Sequence, residues 1–165
     1  MKLRILFMGT PDFAVAPLEA LCAAGHEVCA VLTQPDKPTG RGYKMTPPPV
    51  KVAALAHNIP VYQPETLKNN AIADLLTQYC PELIAVAAYG KILPEYVLNF
   101  PKFGCLNVHA SLLPKYRGAA PINRCLMEGE KETGVTIMYM EKGLGDIILR
   151  THNISYSPYG SMYKE

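Results

Sequence analysis

The stretch LRILFMGTPDFAVAPLEALCAAGHEVCAVL, residues 3–32, changes its periodicity twice. Leu3 to Phe7 is an unbroken apolar, β-rich run, the pattern of a strand covered on both faces. GTPD then makes a turn. Pro11 and Asp12 introduce a helical pattern, FAVAPLEALCAAG, that stops at Gly25. Pro17 within it predicts either a kink or the true first turn. EVCAVL, residues 27–32, is a second buried strand. Strand, helix and strand in this order form a unit whose two strands lie parallel, joined by a right-handed crossover.

The alternation continues along the chain. VKVAALAHN (50–58) reads as helix, VYQPETL (61–67) holds a very short strand, and NNAIADLLTQY (69–79) is an amphipathic helix. ELIAVAA (82–88) is a third clear strand, followed by the loop YGKILP (89–94) and a short helix at EYVLNF (95–100). GCLNVHA (104–110) is strand, APINRCLMEG (120–129) helix, and GVTIMYM (134–140) and DIILRTHNI (146–154) are strands. The expected fold class is α/β, a Rossmann-like doubly wound, mostly parallel sheet in a single domain. The turn GTPDFA lacks the close glycines of G-x-G-x-x-G, which argues against a dinucleotide cofactor and leaves Gly9 as a tight-turn residue.

Composition narrows the class. The 165 residues are 49% hydrophobic and 18% charged, a globular balance long enough to bury a core. No apolar run reaches the roughly 18 residues of a membrane span, and MKLRILFMG lacks the apolar region and cleavage site of a signal peptide. The five cysteines follow neither disulfide nor zinc spacing. The expectation is a cytoplasmic protein without a membrane or metal site.

The net charge of +2 does not by itself imply a nucleic-acid partner, but its distribution is uneven. In TQPDKPTGRGYKMTPPPVK, residues 33–51, Lys37, Arg41, Lys44 and Lys51 face only Asp36. Five prolines and two glycines in the same window are expected to exclude regular helix or strand. The segment is either a functional basic loop or a solvated connector.

Polar residues in the strand GCLNVHA demand a reason. Alternation puts Cys105, Asn107 and His109 on one face. A central strand covered on both sides is apolar, whereas polar groups at its C-terminal tip reach the crevice where open α/β sheets bind ligands. A core histidine satisfied by a backbone carbonyl is the alternative. Asp146, beyond the glycine-containing EKGLGD, is a carboxylate able to orient His109 for proton transfer near neutral pH. Asn107 supplies an amide donor for an oxyanion. Ser111 lacks a G-x-S-x-G elbow, which argues against a serine hydrolase. Cys105 reads as a buried filler, and His26, His57 and His152 as structural residues without ligand-like partners.

At these residues the chain resembles the folate-dependent formyltransferases. NVHASLLPKYRGAAPI matches their Asn-x-His pair and the following S-L-L-P loop, and VAAYGKILP and YQPETL also fit. FMGTPDFAVAPLEAL resembles an opening that the branch acting on initiator tRNA shares with the sugar-nucleotide branch, and TQPDKPTGRGYKMTPPPVK is the piece most similar to the tRNA branch alone. The resemblance runs from Leu3 to about Arg150.

It implies transfer of the formyl group of 10-formyltetrahydrofolate, as co-substrate, to the amino group of methionyl initiator tRNA for translation initiation. It implies catalytic roles for Asn107, His109 and Asp146. Ser111, Leu112, Leu113, Pro114, Tyr89, Gly90 and Ile92 would form the folate pocket. Lys37, Arg41 and Lys44 would meet tRNA phosphates, with Tyr43 stacking on a base. No metal is implied, and a monomer is expected. Where the family reads G-L-D-T-G-D, this chain has GLGD (143–146). By the same resemblance, the chain corresponds to an incomplete N-terminal catalytic domain without the family's C-terminal β-barrel. Two alternatives stay open: a related formyltransferase or hydrolase with an amino-sugar nucleotide, glycinamide ribonucleotide or water as acceptor, and a fragment that binds without turnover.

Overall fold

A computed structural model describes residues 1–40, 42–113, 115–116, 121–130 and 133–140, together with the backbone of a strand at 150–152. The central strands are β1 (Arg4–Gly9), β2 (Glu27–Leu32), β5 (Val61–Tyr62), β6 (Leu83–Ala87) and β7 (Cys105–His109). β3 (Lys37–Thr39) and β4 (Lys44–Thr46) stand apart as a two-stranded antiparallel ribbon. β8 (Val135–Tyr139) and β9 (Arg150–His152) complete a seven-stranded sheet in the order β5-β2-β1-β6-β7-β8-β9. β1 pairs parallel with both β2 and β6, and β6 with β7, while β7–β8 and β8–β9 are antiparallel. The mostly parallel α/β expectation therefore describes the sheet, with an antiparallel edge added at one side.

The buried face pattern explains the central position of β1. Ile5, Leu6, Phe7 and Met8 are each fully buried. Ile5 and Phe7 join Ala14 and Leu18 of α1 (Asp12–Ala23) and Val50 and Ala54 of α2 (Pro49–Ala56). Leu6 and Met8 face the other way, towards Leu76 of α3 (Ala73–Tyr79) and Val97 of α4 (Glu95–Leu98). Each such side chain contributes about 1.5–3 kcal/mol by leaving water. Covering both faces forbids the alternation of a half-exposed strand, which is why the sequence there is continuously apolar.

α1 ends as its sequence dictates. Gly25 takes φ +79°, its amide donates to Cys22, and the His26 amide donates to Leu21. These paired bonds satisfy carbonyls left over at the helix end, and glycine carries no Cβ penalty in that conformation. The helix starts at Asp12, so Pro17 lies in its interior rather than its first turn. α3 is shorter than its apolar period suggests, because Asn69 and Asn70 adopt positive φ and hold the chain in turns until Ala73. Gly9 is required by close packing: a Cβ there would lie 2.8 Å from the Ala14 Cβ and 2.9 Å from the Ala87 carbonyl oxygen. Among the described residues, no helix is long and apolar enough to cross a membrane.

Candidate active site

From β1 the chain moves outward to β2 and β5, then returns to the other side of β1 at β6 and β7. At such a reversal the loops leaving neighbouring strands diverge, and a crevice opens beyond their C-terminal ends. A cleft of about 600 Å³ lies there, bounded by Phe13 after β1, the Ala88–Lys91 loop after β6, and Asn107 to Ala110 of β7 and its exit. Ile122 and Asn123 of α5 (Pro121–Met127) and Met140 also line it.

The loop after β6 is held in an unusual backbone. Ala88 has φ +46° and Gly90 φ +85°. The alanine's left-handed conformation costs roughly 1–2 kcal/mol, so other bonds must hold it. Thr10 Oγ1 and Gln34 Nε2 both donate to the Tyr89 carbonyl, each at 3.0 Å. A Cβ on Gly90 would sit 3.3 Å from Gln34 Nε2, so the glutamine amide lies close against this turn. Tyr89 lines the cleft, but its ring is buried in the core, and burial raises its hydroxyl to about 12, so it stays neutral at physiological pH. Lys91 Nζ donates to the carbonyl of Pro64 at 3.0 Å and also to that of Glu65.

On β7, the three same-face residues meet different environments. Cys105 is fully buried within the core, where burial alone raises its thiol to about 12 and makes it a poor nucleophile. Asn107 and His109, further along, are half-buried and both line the cleft. The histidine is thus neither sealed in the core nor free of backbone contact, since its Nε2 lies 3.1 Å from the Tyr116 carbonyl. In a neutral imidazole, an Nε2–H donating to that oxygen leaves Nδ1 as the proton acceptor. Asp146, its expected orienting partner, lies outside the described residues, as does Pro114.

The segment after His109 is tied to the strand that follows it. Ser111 is fully buried, donating through Oγ to the Lys115 carbonyl at 2.9 Å. Its own carbonyl accepts from Thr136 Oγ1 at 2.7 Å, and the same threonine oxygen accepts from the Leu113 amide at 3.2 Å. Leu112 packs on Gly134, where an added Cβ would overlap the leucine Cδ2. Ser111, Leu112 and Leu113 therefore tie the turn to Gly134 and β8. Ile92 is 94% exposed, while its neighbours Lys91 and Leu93 line the cleft. Tyr89 and Gly90 remain on the cleft wall.

The basic segment is more regular than its prolines suggest. Pro38 pairs with Met45, and Thr39 with Lys44, in the β3–β4 ribbon. A lone two-stranded ribbon has outward edges on both strands, and proline's missing donor is tolerated there. Lys37, Tyr43 and Lys44 are exposed, with Tyr43 at φ +47°, while Arg41 lies outside the described residues. Lys51 leaves the exposed charge pattern altogether. Its Nζ contacts Asp36 Oδ1 and Oδ2 at 2.8 and 3.0 Å and Gln63 Oε1 at 2.8 Å. Lys51, followed by Gln63, holds the Asp36 carboxyl below the usual carboxylate range. His57, read as structural from sequence, lies 2.7 Å from Glu19 across α1 and α2. His26 Nδ1 accepts from the Leu3 amide.

Sequence reasoning missed Thr10, Gln34, Gln63 and Thr136. Thr10 and Gln34 stand just beyond the C-terminal ends of β1 and β2, the same positional signal that singles out Asn107 and His109. Gln63 stands in the same way just past β5, whereas Thr136, inside β8, had no comparable signal.

The family model described as formyl transferase matches residues 1–154. Methionyl-tRNA formyltransferase of Pelotomaculum thermopropionicum is 61% identical over 150 residues, covering 90% of this chain and 48% of that protein. The protein of the same name from Alkaliphilus oremlandii is 58% identical with the same coverage. The chain spans about half the length of the curated relatives it matches. Phosphoribosylglycinamide formyltransferase from Bacillus halodurans shares the fold, with a TM-score of 0.70 at 23% identity over 96% of this chain and 82% of that one. A match across nearly the whole sequence, together with this fold, places the chain in the formyl transferase family.

Proposed function

We propose that the chain carries the catalytic half of an enzyme that moves the formyl group of 10-formyltetrahydrofolate to the amino group of methionyl initiator tRNA. The observation that carries this reading is the joint projection of Asn107 and His109 from the tip of β7 into one cleft. His109 takes a proton from the attacking amine, whose nitrogen forms a bond to the formyl carbon. The Asn107 amide donates to the oxygen that becomes negative. Collapse breaks the bond to the folate nitrogen, and the proton held on His109 goes to that leaving nitrogen. Asp146 is assigned to orient the imidazole. The Tyr89–Gly90 backbone forms one wall for the folate ring.

The acceptor follows from the ribbon. Lys37 and Lys44 are exposed cations on an element that contributes no buried residue, and Arg41 joins them in sequence. Phosphates of an acceptor stem suit that arrangement, with Tyr43, 80% exposed, available for stacking. A cytoplasmic, monomeric enzyme of translation initiation belongs to the same reading. Formyl transfer to methionyl-tRNA, assayed with unaltered chain and with His109→Ala, tests it. Transfer that survives the substitution at the unaltered rate refutes the role of His109. Transfer to an amino-sugar nucleotide or glycinamide ribonucleotide, with methionyl-tRNA inert, refutes the acceptor.

A further inference from the structure

The ribbon and the cleft are joined by one continuous set of polar contacts that neither role requires separately. It begins at the cleft wall, where Gln34 Nε2 donates to the Tyr89 carbonyl at 3.0 Å. The Gln34 backbone carbonyl accepts from Gln63 Nε2 at 2.9 Å, and the same Gln63 nitrogen donates to Asp36 Oδ1 at 2.6 Å. Gln63 Oε1 in turn accepts from Lys51 Nζ, which grips both oxygens of Asp36. Asp36 immediately precedes β3, the first strand of the ribbon, and Lys51 lies in α2, soon after β4. Both feet of the ribbon are therefore clasped by a single side-chain cluster.

The covalent path between the two ends is short and stiff. Gln34 and Asp36 are separated only by Pro35, whose ring removes the freedom of φ at the one residue between them. Gln63 sits just past β5, on the framework of the sheet, and holds this tripeptide from the side. Movement of the ribbon base at Asp36 cannot be absorbed by a flexible linker. It has to shift Gln63 and Gln34 or break their bonds. Gln34 lies against Gly90 and bonds Tyr89, so any shift of it reaches the turn that bounds the cleft.

We infer that Gln34 and Gln63 are positioning residues that couple occupancy of the ribbon to the shape of the cleft wall, so that RNA on one tightens folate on the other. This rests on the reading of the ribbon as the tRNA grip and the cleft as the folate site. Coupling between sites is reciprocal for binding, so each ligand must change the other's affinity by the same factor.

Tetrahydrofolate and deacylated initiator tRNA are suitable probes because neither can react. In the unaltered chain, each is expected to tighten the other about five- to tenfold. Gln63→Met removes the bridge while leaving Gln34 on Tyr89. It is expected to bind each ligand alone within about twofold of the unaltered chain, with the mutual factor falling to about one. Gln34→Met is expected to weaken tetrahydrofolate as well as abolish the coupling, and it carries the test if Gln63→Met does not fold. A mutual factor of one in the unaltered chain, or an undiminished factor in the variants, overturns the inference while leaving the two sites intact. Failure of either probe to bind at all overturns the underlying functional reading, and the inference falls with it. A general loss of stability would lower both affinities without selectively erasing their ratio, which distinguishes positioning from support.

Discussion

The cleft and the ribbon are built on opposite principles. The cleft is bounded by β6 and β7, and β6 is buried along its whole length. Its polar groups sit at strand tips, and their positions depend on which strands happen to be neighbours. The ribbon shows no buried residue in either strand and is closed by its own antiparallel pairing. Its base is fastened by Asp36, Lys51 and Gln63. A reactive geometry needs a rigid support made by the whole sheet. An exposed basic surface needs only charge and a fixed foot.

The strongest way to separate the two is at His109. His109→Ala is expected to lower formyl transfer by about 10²–10⁴-fold while leaving tRNA affinity in place. Asn107→Ala is expected to lower the rate by about 10²–10³-fold through loss of a donor to the oxyanion. Both are read in single-turnover assays beside a tRNA-binding curve, and a parallel fall in affinity would erase the separation between cleft and ribbon.

Gly9→Ala carries the contrast into stability. The added Cβ meets Ala14 and the Ala87 carbonyl at the closest approach of β1, α1 and β6. Overpacking of this kind typically costs about 1–3 kcal/mol, read as a lower denaturant midpoint. An unchanged midpoint would mean that the sheet yields more easily than its packing indicates. By contrast, Lys37→Ala and Lys44→Ala are expected to leave the midpoint alone. Each should weaken tRNA binding and reduce the salt slope by about one for every phosphate no longer neutralised. A slope unaltered in both variants would remove the ribbon from the RNA interface.

The smallest effect is a pH response at the ribbon's foot. Asp36 has a folded value below its unfolded one, caused first by Lys51 and then by Gln63. Its contribution is therefore fully present above the ordinary carboxylate range. It is lost as pH falls through the lowered folded value, because protonation then removes the partner of Lys51. Amide exchange in Lys37–Thr39 and Lys44–Thr46 should accelerate at that acidic edge before exchange in β1 does. Simultaneous acceleration in both would show that the clasp has no local role.

Much of the fold was legible because the central strands are apolar on both faces and their connecting helices are not. Leu3 to Phe7 and ELIAVAA had no other stable use than a covered sheet. Asn107 and His109 were legible for the converse reason, as polar residues in a strand that otherwise rejects them. The ribbon strands were hidden by Pro38 and the glycines, whose restrictions matter in a central strand and not in an isolated pair. The contacts of Ser111, Leu112 and Leu113 were hidden because their partners, Thr136 and Gly134, lie in or beside a strand added later in the chain.

Local chemistry alone settled the alternation of strands and helices, the end of α1 at Gly25, the basic character of residues 37–44 and the pairing of an amide with an imidazole two positions apart. Each of these depends on periodicity, backbone preference or charge, which neighbouring residues carry among themselves. Strand order, the opening beside β6 and the bonds from Thr10 and Gln34 to Tyr89 were decided only when distant segments met. Hydrogen bonds and close contacts depend on distance in space, and a linear order of residues does not specify which remote partners will arrive there.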